Sequence, residues 1–396
     1  MALNRMQKQI DHTLQTAIDW LITSGIQNCD PHSGHQGGFN AWYKIETDSY
    51  PFIYAEITGY LTTLLLFLYR ETGNKICLER AKKSGEWLLK KLEEHPVIPC
   101  LFPVTQTLYD LKKDWAYAFD NGILINTLVN LYRCTGNKRY LNKAKMLADW
   151  MMANLQRNDG GFFFAYNIVT KEKLFDQEEV SWSTTRGSFS GKIAIGLLNL
   201  FTETGEKRYK QSAERLLHYC LCYQAPEGNF YSYATQPGTH LHPHTYTLEA
   251  LFIAGHVLKN KHWTEAALKG LKWNYAAQKP SGEFPRKWFD KKFIYCERND
   301  ILAQNIRLGI LGRVSGLTGR VFDKKLDRSV ARLLTKQCTD PHPRANGGFL
   351  FGIGEEGNKT RHVNVWVTAF SIQALSFYQK WQKQKTKFEF DPFLFV

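Results

Sequence analysis

Apolar positions along this chain recur with the 3.6-residue period of an α-helix, in two alternating styles. Segments 5–24, 75–94, 138–156, 207–223, 262–277 and 320–337 carry Lys, Arg and Glu on one side, as in Lys138-Arg-Tyr-Leu-Asn-Lys-Ala-Lys-Met146. Segments 54–71, 118–134, 187–203, 244–258, 299–316 and 363–381 are apolar nearly all round, as in Ile57-Thr-Gly-Tyr-Leu-Thr-Thr-Leu-Leu-Leu-Phe-Leu68. A helix apolar on every side has to be buried on every side. Six polar-faced helices alternating with six buried ones therefore predict two concentric rings: an all-α (α/α)6 barrel, one domain over 1–396.

The punctuation between helices repeats as well. Thr72-Gly73-Asn74-Lys75, Thr135-Gly136-Asn137-Lys138 and Thr204-Gly205-Glu206-Lys207 stand between an apolar helix and a polar-faced one. Weaker copies follow at Lys259-Asn260-Lys261 and Thr318-Gly319-Arg320. Gly or Asn in such a place ends one helix in the left-handed region and a short turn launches the next. At the other end lie Gly37-Gly-Phe39, Gly160-Gly-Phe162, Gly228-Asn-Phe230, Gly282-Glu-Phe284 and Gly347-Gly-Phe349, flanked by alternating aromatics. These read as short β-hairpins between an outer helix and the next inner one. All the long connections then gather on one face, over the N-termini of the inner helices, where positive dipole ends and loop residues favour function.

Unusual polar residues mark the start of every inner helix. The sequence offers Tyr54, Glu56 and Tyr60; Trp115, Asp120 and Asn121; Glu178, Glu179, Trp182 and Arg186; His240, His242, His244, Tyr246 and Glu249; Arg298 and Asp300; Arg361, His362 and Trp366. Acids, Arg and flat rings converging on one mouth suit a sugar: rings stack on apolar pyranose faces, while charged groups bind hydroxyls or uronates. Asp120, Glu56, Glu178, Glu179, His244 and Glu249 are the candidate catalytic groups. Tyr54, Tyr60, Trp115, Asn121, Trp182, Arg186, Tyr246, Arg298, Asp300, Arg361, His362 and Trp366 are the candidate contacts. Each has a plainer role open to it: helix capping for Asp120, dipole stabilisation for Glu56, loop packing for His244 beside Pro243, salt bridges for the arginines.

Composition narrows the partners. Lys and Arg outnumber Asp and Glu by 51 to 37, a formal charge of +14, which favours an anionic partner. The basic residues are spread over polar-faced helices with no nucleic-acid-binding signature, so an anionic oligosaccharide or a sugar-phosphate carrier is expected rather than nucleic acid. Eight scattered cysteines form no Cys-x-x-Cys pair, and no metal or cofactor is expected. No transmembrane run and no apolar leader are evident, which favours the cytoplasm.

The cassettes and the inner-helix openings together resemble the six-hairpin glycosidase-like superfamily. Asp120-Asn121, Thr135-Gly-Asn-Lys-Arg-Tyr140 and Trp182-Ser-Thr-Thr-Arg186-Gly187 are similar to segments of unsaturated glucuronyl hydrolases. That resemblance implies an acid role for Asp120 and for a second acid just before the Trp. Here Val180-Ser181 fill that place, Ser188 stands where those enzymes have Gln, and the nearest acids are Glu178 and Glu179. His244-Thr-Tyr-Thr-Leu-Glu249 is similar to an inner-helix motif of N-acylglucosamine 2-epimerases, which implies a His base. Gly37-Gly-Phe39, Tyr54-Ala-Glu-Ile-Thr-Gly-Tyr60 and Asn364-Val-Trp366 resemble cytoplasmic proteins encoded in bacterial exopolysaccharide and surface-polysaccharide gene clusters. The expectation is an enzyme that cleaves or remodels an anionic, uronic-acid-type saccharide by carboxylate acid–base chemistry. Two alternatives stand beside it: isomerisation by His244, with His362, as bases, and non-catalytic saccharide binding.

Overall fold

The computed structural model describes residues 2–105, 112–176, 181–317, 319–354, 357, 359–384 and 388–396. Helices follow in pairs: α1 (Ala2–Thr23) and α2 (Ala55–Thr72), α3 (Lys75–Glu94) and α4 (Ala118–Thr135), α5 (Lys138–Asn154) and α6 (Ile193–Thr204). Then come α7 (Lys207–Leu221) and α8 (Leu241–Val257), α9 (Lys261–Ala276) and α10 (Asn299–Val314), α11 (Arg320–Leu334) and α12 (Val365–Gln384). Even-numbered helices pack in an inner ring that closes from α12 back to α2, and odd-numbered helices surround it. The predicted (α/α)6 barrel is the observed one.

Two boundaries differ from expectation. Residues Ser188–Lys192 form a 3₁₀ turn, and α6 begins only at Ile193. Helix α8 begins at Leu241, so Pro243 lies in its first turn and does not mark a loop. Proline is tolerated there because first-turn amides have no intrahelical acceptor.

The cassettes work as their residue types require. Gly73, Gly136 and Gly205 all sit near φ 72° and close α2, α4 and α6. The preceding threonine turns its hydroxyl back on its own helix: Thr72 Oγ1 donates to Leu68 O at 2.6 Å and Thr135 Oγ1 to Leu131 O at 2.6 Å. Asn74, Asn137 and Asn260 then cap α3, α5 and α9 by accepting from Ile76, Arg139 and His262 amides.

At the opposite end a glutamine repeat, invisible to periodicity, ties each hairpin to the next outer helix. Gln156 Nε2 donates to Gly160 O and Ser212 O at 3.1 Å each. Gln224 bridges Gly228 and Ala266 in the same manner, and Gln27 bridges Gly37 and Arg80. Gln337 bridges Gly347 and Thr13, which joins the last outer turn to α1 and shuts the outer ring.

Residues 388–396 fold across the far end of the barrel. Asn126 and Asn130 donate to Phe393 O, and Gln373 donates to Leu394 O and accepts from Val396 N. On the axis above them, Glu249 is held between Lys192 Nζ (2.6 Å) and Arg307 Nη2 (2.7 Å), with Arg307 also donating to Val396 O. These three charged side chains are buried together, and removing Glu249 would leave two cations without their counter-charge, at a cost of roughly 3–5 kcal/mol. Among the described residues no helix is long and apolar enough to cross a membrane.

Candidate active site

Short strands run directly into inner helices at the mouth: Phe52–Tyr54 into α2, Trp115–Tyr117 into α4, Thr239–His240 into α8 and Lys359–Asn364 into α12. Backbone carbonyls of neighbouring loops and hairpins satisfy the first amides of three of these helices. Ala55 N donates to Cys100 O, Ala118 N to Phe164 O and Leu241 N to Arg286 O, at 2.8–3.0 Å. No side chain caps α2, α4 or α8. The first-turn acids Glu56 and Asp120 are thereby released from capping while keeping the favourable dipole end. The capping role open to Asp120 is excluded on position, because Tyr117 is the N-cap and Asp120 the third residue of α4.

These junctions enclose a cavity of about 170 Å³. Its walls are largely aromatic: Tyr54 and Tyr117 from the junctions, Phe119, Phe162–Phe164, Trp182, Phe189, Tyr219, Tyr246 and Trp366. The polar groups on its lining include Glu56, Asp120, Lys112, His242, Arg186 and Arg298. Trp182 packs edge-on against both Phe189 (5.4 Å between centroids) and His242 (5.6 Å).

Glu56 and Asp120 form the acidic pair. Burial pushes Glu56 up to about 7, against the pull of the Tyr54 hydrogen bond and of the Lys192 and Arg298 charges. Burial also raises Asp120 far above the carboxylate range; the neighbouring Glu56 raises it further, and Lys112 only partly offsets this. Asp120 Oδ2 is buried without a hydrogen-bond partner among the described residues. Two carboxyl groups near one another and out of water cannot both ionise cheaply, so the neutral form of each is favoured, and Glu56, at about 7, is divided between forms at neutral pH.

A second array faces them across the cavity. Asp300 is buried, yet its carboxyl lies below the usual range: burial works to raise it and is outweighed by Arg298, His242 and Trp366. Arg298 Nε donates to both oxygens (3.0 and 2.9 Å) and Trp366 Nε1 donates to Oδ2 (3.0 Å). His242 Nδ1 lies 2.8 Å from Gln304 Oε1 and 3.3 Å from Asp300 Oδ2. Both are acceptors, so Nδ1 carries the proton and Nε2 the lone pair. Burial, then the Arg298 charge, depress the imidazole to about 3, so it is neutral at physiological pH.

The cavity thus gathers Glu56, Asp120, Tyr54, Trp182, Arg186, Tyr246, Arg298 and Trp366 from the expected residues. Asp300 supports it from behind, and the Tyr60 ring lies beneath, 4.7 Å from Lys192 Nζ. Glu178 and Glu179 lie outside the described residues. Several expectations are corrected. Glu249 sits two turns down α8, both oxygens consumed by Lys192 and Arg307, so it is structural. His244 points away from the cavity, where its Nδ1 accepts from Phe230 N at 3.2 Å and its ring packs on Trp273; burial lowers it to about 3. Asn121 clamps a loop by bonding both Ile98 N and Ile98 O. Trp115 lies on its strand outside the lining. His362 stacks on Trp42 at 5.2 Å, and burial holds it near 4. Arg361 is 61% exposed, on a strand, pairing loosely with Asp340 and Glu46.

Lys192 and Lys112 were missed, and His242, noted only alongside His240 and His244, was given no role. For His242 a signal existed: with Pro243 in a first helical turn, residues 242 and 246 share a face, and their rings lie 4.6 Å apart. Lys112 and Phe163 come from connections whose convergence no local pattern reports. Among the described residues no group of three or more His, Cys, Asp or Glu is placed to hold a metal ion.

The model of glycosyl hydrolase family 76 matches residues 106–273, less than half of the chain but including Asp120, Lys192 and His242. No curated protein shares significant sequence similarity with it. Solved structures share its architecture over nearly the full length. Cellobiose 2-epimerase from Bacillus thermoamylovorans B4167 superposes with a TM-score of 0.73 at 12% identity, covering 93% of this chain and 99% of that one. Unsaturated glucuronyl hydrolase from Bacillus sp. GL1 gives 0.68 at 13%, covering 94% and 98%. An unsaturated glucuronyl hydrolase from Streptococcus agalactiae gives 0.67 at 11%, covering 97% and 93%. The chain has the six-hairpin glycosidase-like fold. Within that class, the family match supports a carbohydrate-active, glycoside hydrolase-like enzyme.

Proposed function

We propose that this protein cleaves or remodels an anionic, uronic-acid-type saccharide with Asp120 as proton donor and Glu56 as its ionisable partner. The observation that carries this reading is the pairing of the two carboxyls on the lining of one aromatic cavity, where burial raises both, Glu56 to about 7. A protonated acid beside a group able to ionise is what departure of a glycosidic oxygen requires: one proton delivered to the leaving oxygen, and one carboxylate to activate water or steady the developing positive charge. Trp182, Tyr246 and Trp366 supply stacking surfaces. Arg186 and Arg298 supply the positive groups for a carboxylate, each using its Nε for an internal acid. An anionic oligosaccharide is the partner this lining favours.

A second reading rests on His242. Its Nδ1–H is fixed by Asp300 and Gln304, which leaves a neutral Nε2 base on a ring that lines the cavity. A neutral Nε2 can accept a proton from a carbon next to a carbonyl, the first step of an epimerisation, although burial and Arg298, which hold the imidazole at about 3, make it a weak base.

One experiment separates the two. Uronic-acid-containing oligosaccharides are incubated in deuterated water with the protein and with Asp120→Asn. Chain cleavage that disappears in Asp120→Asn supports the first reading. Deuterium on a sugar carbon without cleavage, retained in Asp120→Asn and lost in His242→Gln, replaces it with the second. Because burial already disfavours the charged form of Asp120, the near-isosteric Asp120→Asn should melt within a few degrees of the parent; cleavage at full rate in that variant removes Asp120 from the mechanism.

A further inference from the structure

A cavity of about 170 Å³ is smaller than the roughly 300–1,000 Å³ of pockets that enclose a drug-sized ligand. It suits one sugar ring, and a longer saccharide must continue outside it. One wall shows where. Tyr219 lines the cavity on one side and, on the other, a surface groove of about 500 Å³ that it shares with Tyr223, Tyr231, Tyr233 and His218.

The local sequence builds this groove economically. Tyr219 lies in the last turn of α7 and Tyr223 two residues past its end, and their rings meet edge-on at 5.3 Å. The Gly228 turn then brings the chain back, with Tyr231 N donating to Tyr223 O at 3.0 Å, and the alternate residues Tyr231 and Tyr233 join the same groove. Two rings are locked: Tyr219 Oη donates to Arg186 O at 2.9 Å, so the 2.7 Å contact with Tyr223 must be Tyr223 donating to Tyr219. Tyr233 is held by His240 Nε2 at 3.2 Å. Tyr231 is half-buried, and among the described residues its ring and hydroxyl have no partner. No lysine or arginine lines the groove, and its one carboxylate, Asp159, is paired with Arg157 at 2.8 Å, so the groove offers mainly ring faces and hydroxyls, in contrast to the charged cavity.

We infer that this tyrosine groove is an outer subsite that binds the sugar units following the one in the cavity, so that the substrate is an oligosaccharide chain entering across Tyr219. The inference rests on the saccharide reading of the cavity. Preset rings can stack on pyranose faces without losing rotamer freedom on binding, and the shared Tyr219 sets the groove directly beside the cavity.

The test is a glycan array carrying acidic and neutral ladders one to six sugars long, with the best ladder then titrated against the full chain by calorimetry. The parent should bind tighter as length increases. Tyr231→Ala should lose about 3- to 10-fold on the longer members, the scale of one ring contact, and nothing on the single sugar. Tyr231→Phe, which keeps the ring face, should behave as the parent. If single sugars bind and longer ones bind no tighter, or if Tyr231→Ala keeps the full length dependence, the groove is not a subsite although the cavity reading survives. If no ladder binds at all, both fail.

Discussion

At the scale of single residues, the site is governed by which acids escape an ion pair. Asp300 and Glu249 are buried acids held by positive partners, Arg298 for the first and Lys192 and Arg307 for the second, and the Asp300 carboxyl lies below its ordinary range. Glu56 and Asp120 are buried without enough compensation, and so are raised. That distinction has a consequence for stability. A carboxyl raised to about 7 in the fold, against 4.5 as its ordinary value, binds protons more tightly when folded, so its contribution falls as pH rises from about 4.5 to 7. Glu56→Gln removes this penalty. Its melting temperature relative to the parent should rise between pH 4.5 and pH 8, by a margin on the order of a few kcal/mol in stability, and differ little below pH 4.5. Equal offsets at pH 4 and pH 8, read by calorimetry, would show that Glu56 is not titrating in the fold. The same scale explains what sequence reading could and could not find. Asp120 and Glu56 stood out because acids are rare in an apolar helix. His242 was noted but not assigned to the site, because Pro243 hid the helical face that it shares with Tyr246.

At the scale of elements, the barrel was legible because its signals are local and repeated. Thr-Gly-Asn marks a helix end by backbone geometry alone, and the observed φ of 72° at Gly136 is the left-handed cap that the motif requires. The glutamine clamps were not legible, since each pairs residues more than 40 apart. Two glycines separate these kinds of constraint. Gly73 has φ 71° and nothing within 4 Å of an added Cβ, whereas at Gly160 (φ 93°) that atom would lie 2.5 Å from Arg215 O on α7. Both Ala substitutions carry the left-handed penalty of roughly 1–2 kcal/mol. Gly160→Ala should lose on the order of 1–3 kcal/mol more, because it lifts the hairpin off α7. Denaturant midpoints measure the gap, and equal losses would refute the packing argument.

At the scale of the whole molecule, the +14 charge acts through the mouth only where basic groups reach it. Arg186, with its guanidinium over the Phe175 ring at 4.6 Å and its Nε on Asp176 at 2.6 Å, lines the cavity, whereas Arg361 does not. Arg186→Ala should therefore weaken binding of an acidic oligosaccharide by roughly 10- to 100-fold, the range of a charged hydrogen bond. The loss should shrink as salt rises, with little change for a neutral analogue. Titrations at two ionic strengths decide it: equal losses for acidic and neutral sugars would make Arg186 a support for the mouth instead.

The glutamine bridge from Gln337 to Thr13 spans 324 positions of the chain. Every other helical hairpin can form as soon as its own sixty or so residues exist, with little loop entropy to overcome. Closure of the ring is different in kind. It waits until α11 and α12 have arrived to receive α1, so for most of synthesis α1 has one flank without its neighbour and an apolar stripe open to other chains. The feature that makes the toroid seamless thus makes its first helix the last to find its place, and the stage at which a chaperone would matter most is the end of assembly.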